Sequence, residues 1–451
     1  MATKVKKTTT APKAKKAATA SKAKKTVKAK KTVVRAKKPR VIKLAIIGLG
    51  ARGETLLATI FHLKGCEVAA ICDLRDEMIN KILGIFKKNG VKLPDVYHDY
   101  QEILARPDIE GILAPTSWNS HLQIAVDAMN AGKYVGIEVG GSSSIDECWQ
   151  LVHAAEKTGV SCMMLENCCY GRNEMMVMNM VRQGLFGELI HCEGGYEHCI
   201  QSMGHGLEIK HERAIHNRYR CGDVYPTHEL GPIAKILDIN RGNRFMSLTS
   251  TASKARGFSL DAQKHYGRGT KWGDVHFNMG DIIVTVIKCA GGETITLTHG
   301  VSLPRPYSRN GRVQGTKGIW LENANGMWVE GISKIRTEID VAGNPYDVYD
   351  WDKVEDFYEK YDHPIWKQYI KDGVIGGHNG FDGLTLLAFL DAIREHRPTP
   401  IDVYDCAAWM SVTCLSEQSI ALGSAPVAFP DYTNGKWIER GRDTESGIYA
   451  L

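Results

Sequence analysis

Residues 41–53 read Val41-Ile42-Lys43-Leu44-Ala45-Ile46-Ile47-Gly48-Leu49-Gly50-Ala51-Arg52-Gly53. The first seven are a short apolar run of strand type, and Glu54 to Leu63 continue in a helical apolar pattern. A Gly-x-Gly-x-x-Gly loop is informative in that setting, between a strand and a helix. Gly48 allows the tight turn, Gly50 lets the backbone approach a pyrophosphate, and Gly53 lets helix and strand pack closely, with the helix N-terminus facing the phosphates. The next strand, Glu67-Val68-Ala69-Ala70-Ile71-Cys72, ends in Asp73, 20 residues after Gly53. A carboxylate there bonds a ribose 2′-OH and repels a 2′-phosphate, so NAD is expected rather than NADP. Arg75 nearby weakens the preference. The structural alternative for Asp73 is a cap at a strand end.

Outward from this unit the alternation continues. Ile109 to Ala114 is a strand and Ser120 to Met129 a helix; Tyr134 to Val139 is a strand, Ser144 to Lys157 a helix, and Ser161 to Leu165 a strand. This spacing predicts a Rossmann-type, doubly wound parallel sheet of the α/β class over residues 41–165. Loops after such strands line a cofactor crevice. Trp118-Asn119-Ser120-His121 and Glu138-Val139 both fall on such loops.

Beyond Leu165 the pattern changes. Asn167 to Gln183 reads as helix, followed by strand-like runs at Leu189–Tyr196, Met246–Thr251, Ile282–Cys289, Glu293–His299 and Gly318–Glu322. Runs of this kind without intervening helices predict an α+β domain over 166–451, built on a large open, mainly antiparallel sheet. Gly380 to Glu395 and Cys406 to Leu422 read as late helices packing back on the body.

Charge is divided unevenly. Residues 1–40 carry 16 Lys and Arg and no Asp or Glu, which leaves 41 basic against 51 acidic residues in the body, a net −10. The arm has almost nothing large and apolar to bury, so it is expected to be disordered. It offers a route to non-specific nucleic-acid contact through counterion release, which the acidic body does not. No apolar h-region of a secretory signal follows its charges, and no apolar run approaches a membrane span. The 12 cysteines include no C-x-x-C pair. Such usage fits reduced thiols in a cytoplasmic protein and predicts no structural metal.

One further stretch bears on chemistry: Gly222-Asp223-Val224-Tyr225-Pro226-Thr227-His228. Tyr225 and His228 stand three residues apart around Pro226, about 170 residues after the glycine loop. The pairing suits proton exchange on a sugar hydroxyl beside a nicotinamide; a well-packed turn is the structural alternative.

Taken with Met163-Met164-Leu165-Glu166-Asn167, residues 181–188, Gly194-Gly195-Tyr196, residues 223–232, Arg305-Pro306-Tyr307-Ser308-Arg309, Gln314-Gly315-Thr316-Lys317-Gly318, Gly376-Gly377-His378, residues 401–405 and Ser424-Ala425-Pro426-Val427, the chain resembles the Gfo/Idh/MocA oxidoreductases. More closely it is similar to glycoside hydrolase family 109, the NAD-dependent α-N-acetylgalactosaminidases, over roughly residues 41–440. Sugar dehydrogenases of the superfamily usually read Glu-Lys-Pro after the strand at 134–138; Glu138-Val139-Gly140 lacks that lysine, as the hydrolase family would have it. The chain departs from the hydrolases at Cys221, at Glu229 where Gly is common, and in its lysine-rich arm.

The resemblance implies NAD against Ala51, Arg52, Asp73, Trp118 to His121, Glu138, Val139 and Asn167. It implies sugar against Tyr196, Arg213, Tyr225, Pro226, Thr227, His228 and Tyr307, with Tyr170 entering the same site. Tyr225 and His228 are then the proton-transfer pair. Hydrolysis would run through oxidation at C3 of the sugar, deprotonation at C2, elimination of the C1 oxygen, water addition and re-reduction. A phenolate at Tyr225 would need positive charge nearby, from NAD⁺ or Arg213. A sugar or cyclitol dehydrogenase that releases NADH is the alternative, and a non-enzymatic sensor with a DNA-tethering arm is a third reading. A broad sheet face predicts a homo-oligomer.

Overall fold

Ile42, Leu44, Ala45 and Ile46 are all fully buried, so β1 (Ile42–Ile47) has apolar residues on both faces, as a strand covered by helices on both sides requires. The structure, a computed structural model, describes residues 40–451 apart from 205, 207, 209, 210 and 443; the disorder expected for the basic arm concerns residues outside that set. β1 is joined by β2 (Cys66–Cys72), β3 (Asp95–Tyr97), β4 (Gly111–Ala114), β5 (Tyr134–Ile137) and β6 (Cys162–Met164). The order is β3-β2-β1-β4-β5-β6 with every pairing parallel. The order reverses between β1 and β4, the switch point where such sheets open a crevice at the carboxyl ends of their strands. β3 and the helices Asp76–Lys88 and Tyr100–Leu104 complete the pattern in a stretch for which the sequence predicts no element.

The segment expected as one helix from Asn167 is broken. A 3₁₀ turn covers Asn167–Tyr170, and the helix proper is Arg172–Arg182. The Glu166 carboxylate accepts the Cys168 N–H and ties the turn to the end of β6. The second sheet has nine strands: β7 (Leu189–Glu197), β8 (Phe245–Ala252), β9 (Ile283–Cys289), β10 (Thr294–Gly300), β11 (Arg312–Gly315), β12 (Gly318–Leu321), β13 (Gly326–Val329), then, beyond an exposed hairpin of β14 (Ile335–Ile339) and β15 (Pro345–Tyr349), β16 (Asp352–Lys353) and β17 (Val427–Ala428). The order is β16-β13-β12-β11-β7-β10-β9-β8-β17. It is antiparallel except at β7–β10. Helices Glu212–Tyr219 and Thr227–Ile236 stand between β7 and β8, and Gly257–Tyr266 between β8 and β9, so the strands are not the uninterrupted series that their patterning implies.

Along β9 burial alternates strictly, with Ile283, Thr285, Ile287 and Cys289 inside and Val284, Val286 and Lys288 exposed, the pattern of a sheet covered on one face. On that sheet the helix Val403–Ala421 packs against β8 and the helix Thr227–Ile236 against β7; the first begins three residues before its expected start because Asp402 and Asp405 form a capping box. Buried Asp405 pairs with Lys235 Nζ at 2.6 Å and Arg241 at 2.8 Å, fastening this helix to Thr227–Ile236.

Candidate active site

The loops at the carboxyl ends of β1, β2, β4, β5 and β6 carry the residues expected to hold a dinucleotide. A Cβ on Gly53 would stand 2.3 Å from the Gly48 carbonyl oxygen, so the close packing of loop and helix requires glycine. Gly50 lines the cleft, and a Cβ there would meet no protein atom within 4 Å, leaving its backbone open to a ligand. Asp73 accepts the Leu49 N–H at 2.8 Å and the Arg75 N–H at 3.0 Å, which fixes its carboxylate beside the glycine loop. The cleft is about 560 Å³ and is lined by Gly50, Ala51, Arg52, Trp118, Glu138, Val139 and Asn167. An open glycine loop, an anchored acid after β2 and a cleft of this size fit NAD.

Trp118 is held at both ends: its N–H donates to Glu212 Oε1 at 2.6 Å and its indole N–H to the Val139 carbonyl at 3.1 Å. Gly140, at φ +147°, is needed beside it, because a Cβ would fall 2.3 Å from the indole nitrogen. Asn119 turns instead toward a separate shallow hollow, and the Ser120 hydroxyl bonds Ser117. His121 is fully buried with neither ring nitrogen hydrogen-bonded, and burial pushes its pKa down to about 4. Of the four loop residues, Trp118 alone lines the cofactor cleft.

The Tyr-Pro-Thr-His turn is positioned from the helix Val403–Ala421. Thr413 Oγ1 donates to the Asp223 carbonyl at 2.8 Å, and the Asp223 N–H donates to Ser416 Oγ at 2.9 Å. Burial raises the Asp223 carboxyl to about 7, and its oxygen accepts the Tyr225 N–H at 3.3 Å. Pro226 leads into the helix Thr227–Ile236 and puts His228 in its first turn. Thr227 is wholly buried. The Tyr225 and His228 rings meet edge to face at 4.9 Å, and Tyr196 lies 4.5 Å from Tyr225 and 5.6 Å from His228. The Arg213 guanidinium stands 4.6 Å over the Tyr225 ring and donates to the Tyr196 hydroxyl at 3.2 Å. Burial outweighs Arg213 and holds the Tyr225 phenol well above its usual pKa, so Arg213 alone does not supply the charge that a phenolate would need.

His228 is backed by a group to which sequence reasoning assigned no role. Its Nδ1 lies 2.8 Å from Glu166 Oε1, and Glu166 is fully buried. Burial disfavours the charge on Glu166, but the His228 ring and the Cys168 N–H outweigh it and keep the carboxyl below its usual pKa. An ionised acceptor fixes the ring proton on Nδ1 and leaves Nε2 as the acceptor. The only sequence sign of this was the position of Glu166, at the end of β6 beside Asn167.

A second cavity of about 740 Å³ shares Asn167, Tyr196, His228 and His378 with the cofactor cleft. Tyr307 also lines it, 6.2 Å from the Tyr196 ring, together with Arg172, Tyr358, Trp366 and Phe381. Tyr170 enters neither cavity: it is fully buried and its hydroxyl donates to the Tyr449 carbonyl. His378 and Asn379 sit at φ 50° and 55°, a strained geometry for residues with side chains, in the Gly376–Gly380 loop. His378 Nδ1 lies 2.9 Å from Asp382, whose hydrogen bond raises the imidazole pKa against the opposing effect of burial. Asp382 also takes both terminal nitrogens of Arg52 at 3.0 Å and the Asn167 amide at 2.8 Å, while Arg52 Nε reaches Glu138 at 2.6 Å. In the cavity wall, Arg309 is held by Glu174, by Glu322 at 3.0 Å and, behind it, by Glu229 at 3.6 Å. Burial keeps both Glu174 and Glu229 above the usual carboxyl range.

A dinucleotide cleft that shares a wall with an aromatic, histidine-bearing cavity defines a nicotinamide-dependent enzyme. The fold is that of a scyllo-inositol dehydrogenase from Lactobacillus casei with bound cofactor NAD(H) and scyllo-inositol (TM-score 0.60, 14% identity, 86% of this chain and 99% of that one). It is also that of a levoglucosan dehydrogenase in complex with NADH and L-sorbose (TM-score 0.62, 17% identity, 87% and 100%). Residues 42–166 match the oxidoreductase family NAD-binding Rossmann fold, and residues 170–439 match the glycosyl hydrolase 109 C-terminal domain. Relatives include an α-N-acetylgalactosaminidase of Tannerella forsythia, 38% identical over 428 residues (90% of this chain, 89% of that protein), and one of Shewanella oneidensis, 38% identical over 411 residues (89% and 87%). The chain belongs to glycoside hydrolase family 109.

Proposed function

We propose that this protein is an NAD-dependent glycosidase acting on α-N-acetylgalactosaminides or a closely related glycoside. The observation that carries the reading is the shared wall, where Asn167, Tyr196, His228 and His378 face both the cofactor cleft and the second cavity. A sugar seated there would lie between the cofactor cleft and two histidines, His228 and His378. Bound NAD would supply a reversible hydride acceptor for C3, with the C3 hydroxyl proton passing to solvent as the hydride leaves and taken up again when the hydride is returned. His228 Nε2, its ring fixed by Glu166, takes the proton from the carbon beside the new carbonyl. Tyr225, kept protonated by burial, donates a hydrogen bond to a sugar oxygen. His378 holds its proton through Asp382 and gives it to the departing C1 oxygen.

Direct hydrolysis needs one free carboxylic acid and one free carboxylate flanking the bond. The cavity carboxylates Glu174 and Glu322 are both committed to Arg309, which favours the redox route.

The cytoplasm is the compartment this reading favours, supported by twelve unpaired cysteines; in-cell thiol labelling that found them oxidised would oppose it. No helix among the described residues is long and apolar enough to cross a membrane. Self-association through the outer face of the nine-stranded sheet is supported by exposed Val284 and Val286, and light scattering that returned a monomer would remove it. Contact of residues 1–40 with nucleic acid is supported by their charge alone, and binding unchanged by salt would count against it.

The test of function is turnover of p-nitrophenyl α-N-acetylgalactosaminide by the full chain, with and without added NAD⁺. Nitrophenol release without accumulating NADH is expected. No release, together with NADH formation from free sugars or cyclitols, would replace this reading with a dehydrogenase.

A further inference from the structure

Glu166, Cys168 and His228 bring a carboxylate oxygen, a thiol sulfur and a ring nitrogen within 4.8 Å of one another, the one such group among the described residues. Cys168 Sγ is 3.6 Å from His228 Nδ1, which is 2.8 Å from Glu166 Oε1. Metal bonds of about 2.3 Å to sulfur and about 2.0–2.1 Å to nitrogen or oxygen, at tetrahedral angles, place sulfur and nitrogen roughly 3.5 Å apart and nitrogen and oxygen roughly 3.3 Å apart. The first separation is already met, and the second requires a shift of about half an ångström. The second carboxylate oxygen, Glu166 Oε2, is buried and has no hydrogen-bond partner among the described residues, an unmet demand within the group itself.

Cys168 and His228 both line the second cavity, so a fourth coordination position would open toward it. Three protein ligands with an open position is an arrangement that zinc accepts, and thiolate with imidazole selects soft or borderline transition metals over magnesium and calcium.

We propose that Glu166, Cys168 and His228 form a site for a thiophilic divalent ion such as Zn²⁺, and that its occupancy switches the enzyme off. The second half rests on the proton-accepting role given to His228. Binding is a proton exchange without redox change. The Cys168 thiol releases one proton to solvent as the metal–sulfur bond forms. The His228 ring proton leaves Nδ1, now bound to the metal, and sits on Nε2. The nitrogen that must accept a proton from the sugar becomes a donor, and catalysis stops.

The test uses Co²⁺ as a spectroscopic probe on the full chain with NAD bound, in a background where the partly exposed Cys66, Cys199, Cys221 and Cys414 are serine. One equivalent of Co²⁺ should produce a thiolate-to-cobalt charge-transfer band, bleached by Zn²⁺, with turnover falling in step. Cys168→Ser and Cys168→Ala, each checked for folding by circular dichroism, should lose the band. Their Zn²⁺ affinity should fall more than the roughly 10–100-fold seen for loss of an outer-shell partner. No band in the folded parent protein, or a band that persists in either variant, overturns the site. A band with undiminished turnover would instead overturn the role given to His228, so the two failures are separable.

Discussion

Glu166→Gln removes a charge without removing volume. In the wild type, Glu166 accepts from His228 Nδ1 at 2.8 Å and from the Cys168 N–H at 3.1 Å in a fully buried position. A hydrogen bond to a charged group is worth about 1.5–3 kcal/mol and one between neutral groups about 0.5–1.5 kcal/mol. The imidazolium formed when His228 takes a proton therefore loses about 1–2 kcal/mol of support, or roughly 5–30-fold in rate at about 1.36 kcal/mol per tenfold. Glutamine can also present its NH₂ group to Nδ1, which places the ring proton on Nε2 and blocks the base. Complete loss of a general base costs roughly 10²–10⁴-fold. A fall in kcat of about 100-fold is expected, between these bounds. NAD affinity should be unchanged, since Glu166 does not line the cofactor cleft. Steady-state nitrophenol release and calorimetric NAD titration measure the two quantities. The pH dependence adds a third readout. The Glu166 pKa is lowered in the fold, so its contribution is present above the usual carboxyl range and lost as pH falls through the depressed value; the variant should lose that acid-side dependence. Turnover within about threefold of wild type would rule out this role for Glu166, since that is less than the electrostatic part alone.

The other predictions concern the remaining anchored groups. His378 has a raised pKa, so its charged form and the stability it brings are fully present below the ordinary histidine value and are lost as pH rises through the raised one. His378→Gln should remove the alkaline limb of the rate profile and cost roughly 10²–10⁴-fold, most severely on substrates with poor leaving groups; equal losses on good and poor leaving groups would argue for a structural role. Asp73→Ala should narrow the preference for NAD over NADP by at least about tenfold, as expected for one lost hydrogen bond to a charged group, measured as a ratio of dissociation constants. Asp382→Ala leaves Arg52 with Glu138 alone and should destabilise by about 1.5–3 kcal/mol, the usual worth of a hydrogen bond to a charged group; an unchanged Tm by calorimetry would contradict this.

The first sheet was legible because its signals are local. Apolar runs at β1, β2, β4, β5 and β6 alternate with amphipathic helices, and the glycine loop marks where they begin. β3 is three residues long with two of them exposed, so it has no apolar signature to read. The start of the helix Val403–Ala421 was missed because it is buried almost all round, and a helix without a polar face has no 3.6-residue rhythm. The parallel β7–β10 pair joins segments about a hundred residues apart, and strand patterning carries no information on direction. Tyr196, Tyr225, His228 and Tyr307 could be named because their types suit sugar chemistry and the resemblance located them. Asp382 could not: at the start of the helix Phe381–Glu395 it reads as an ordinary helix-terminal acid, and its partners Arg52 and Asn167 lie 330 and 215 residues away. Tyr170 follows the same block as Asn167, yet the 3₁₀ turn directs it into the interior.

Asp382 has a consequence for recombination. A crossover near residue 166 looks like a natural seam, since one family pattern ends at 166 and the next begins at 170. A hybrid joined there would inherit Arg52 from one parent and Asp382 from the other, and the two must mate through paired 3.0 Å hydrogen bonds. Exchange of halves among relatives is therefore restricted to parents that share this arginine–aspartate lock. A library of such hybrids should divide into functional and non-functional members by those two positions before any residue touching the sugar has an effect.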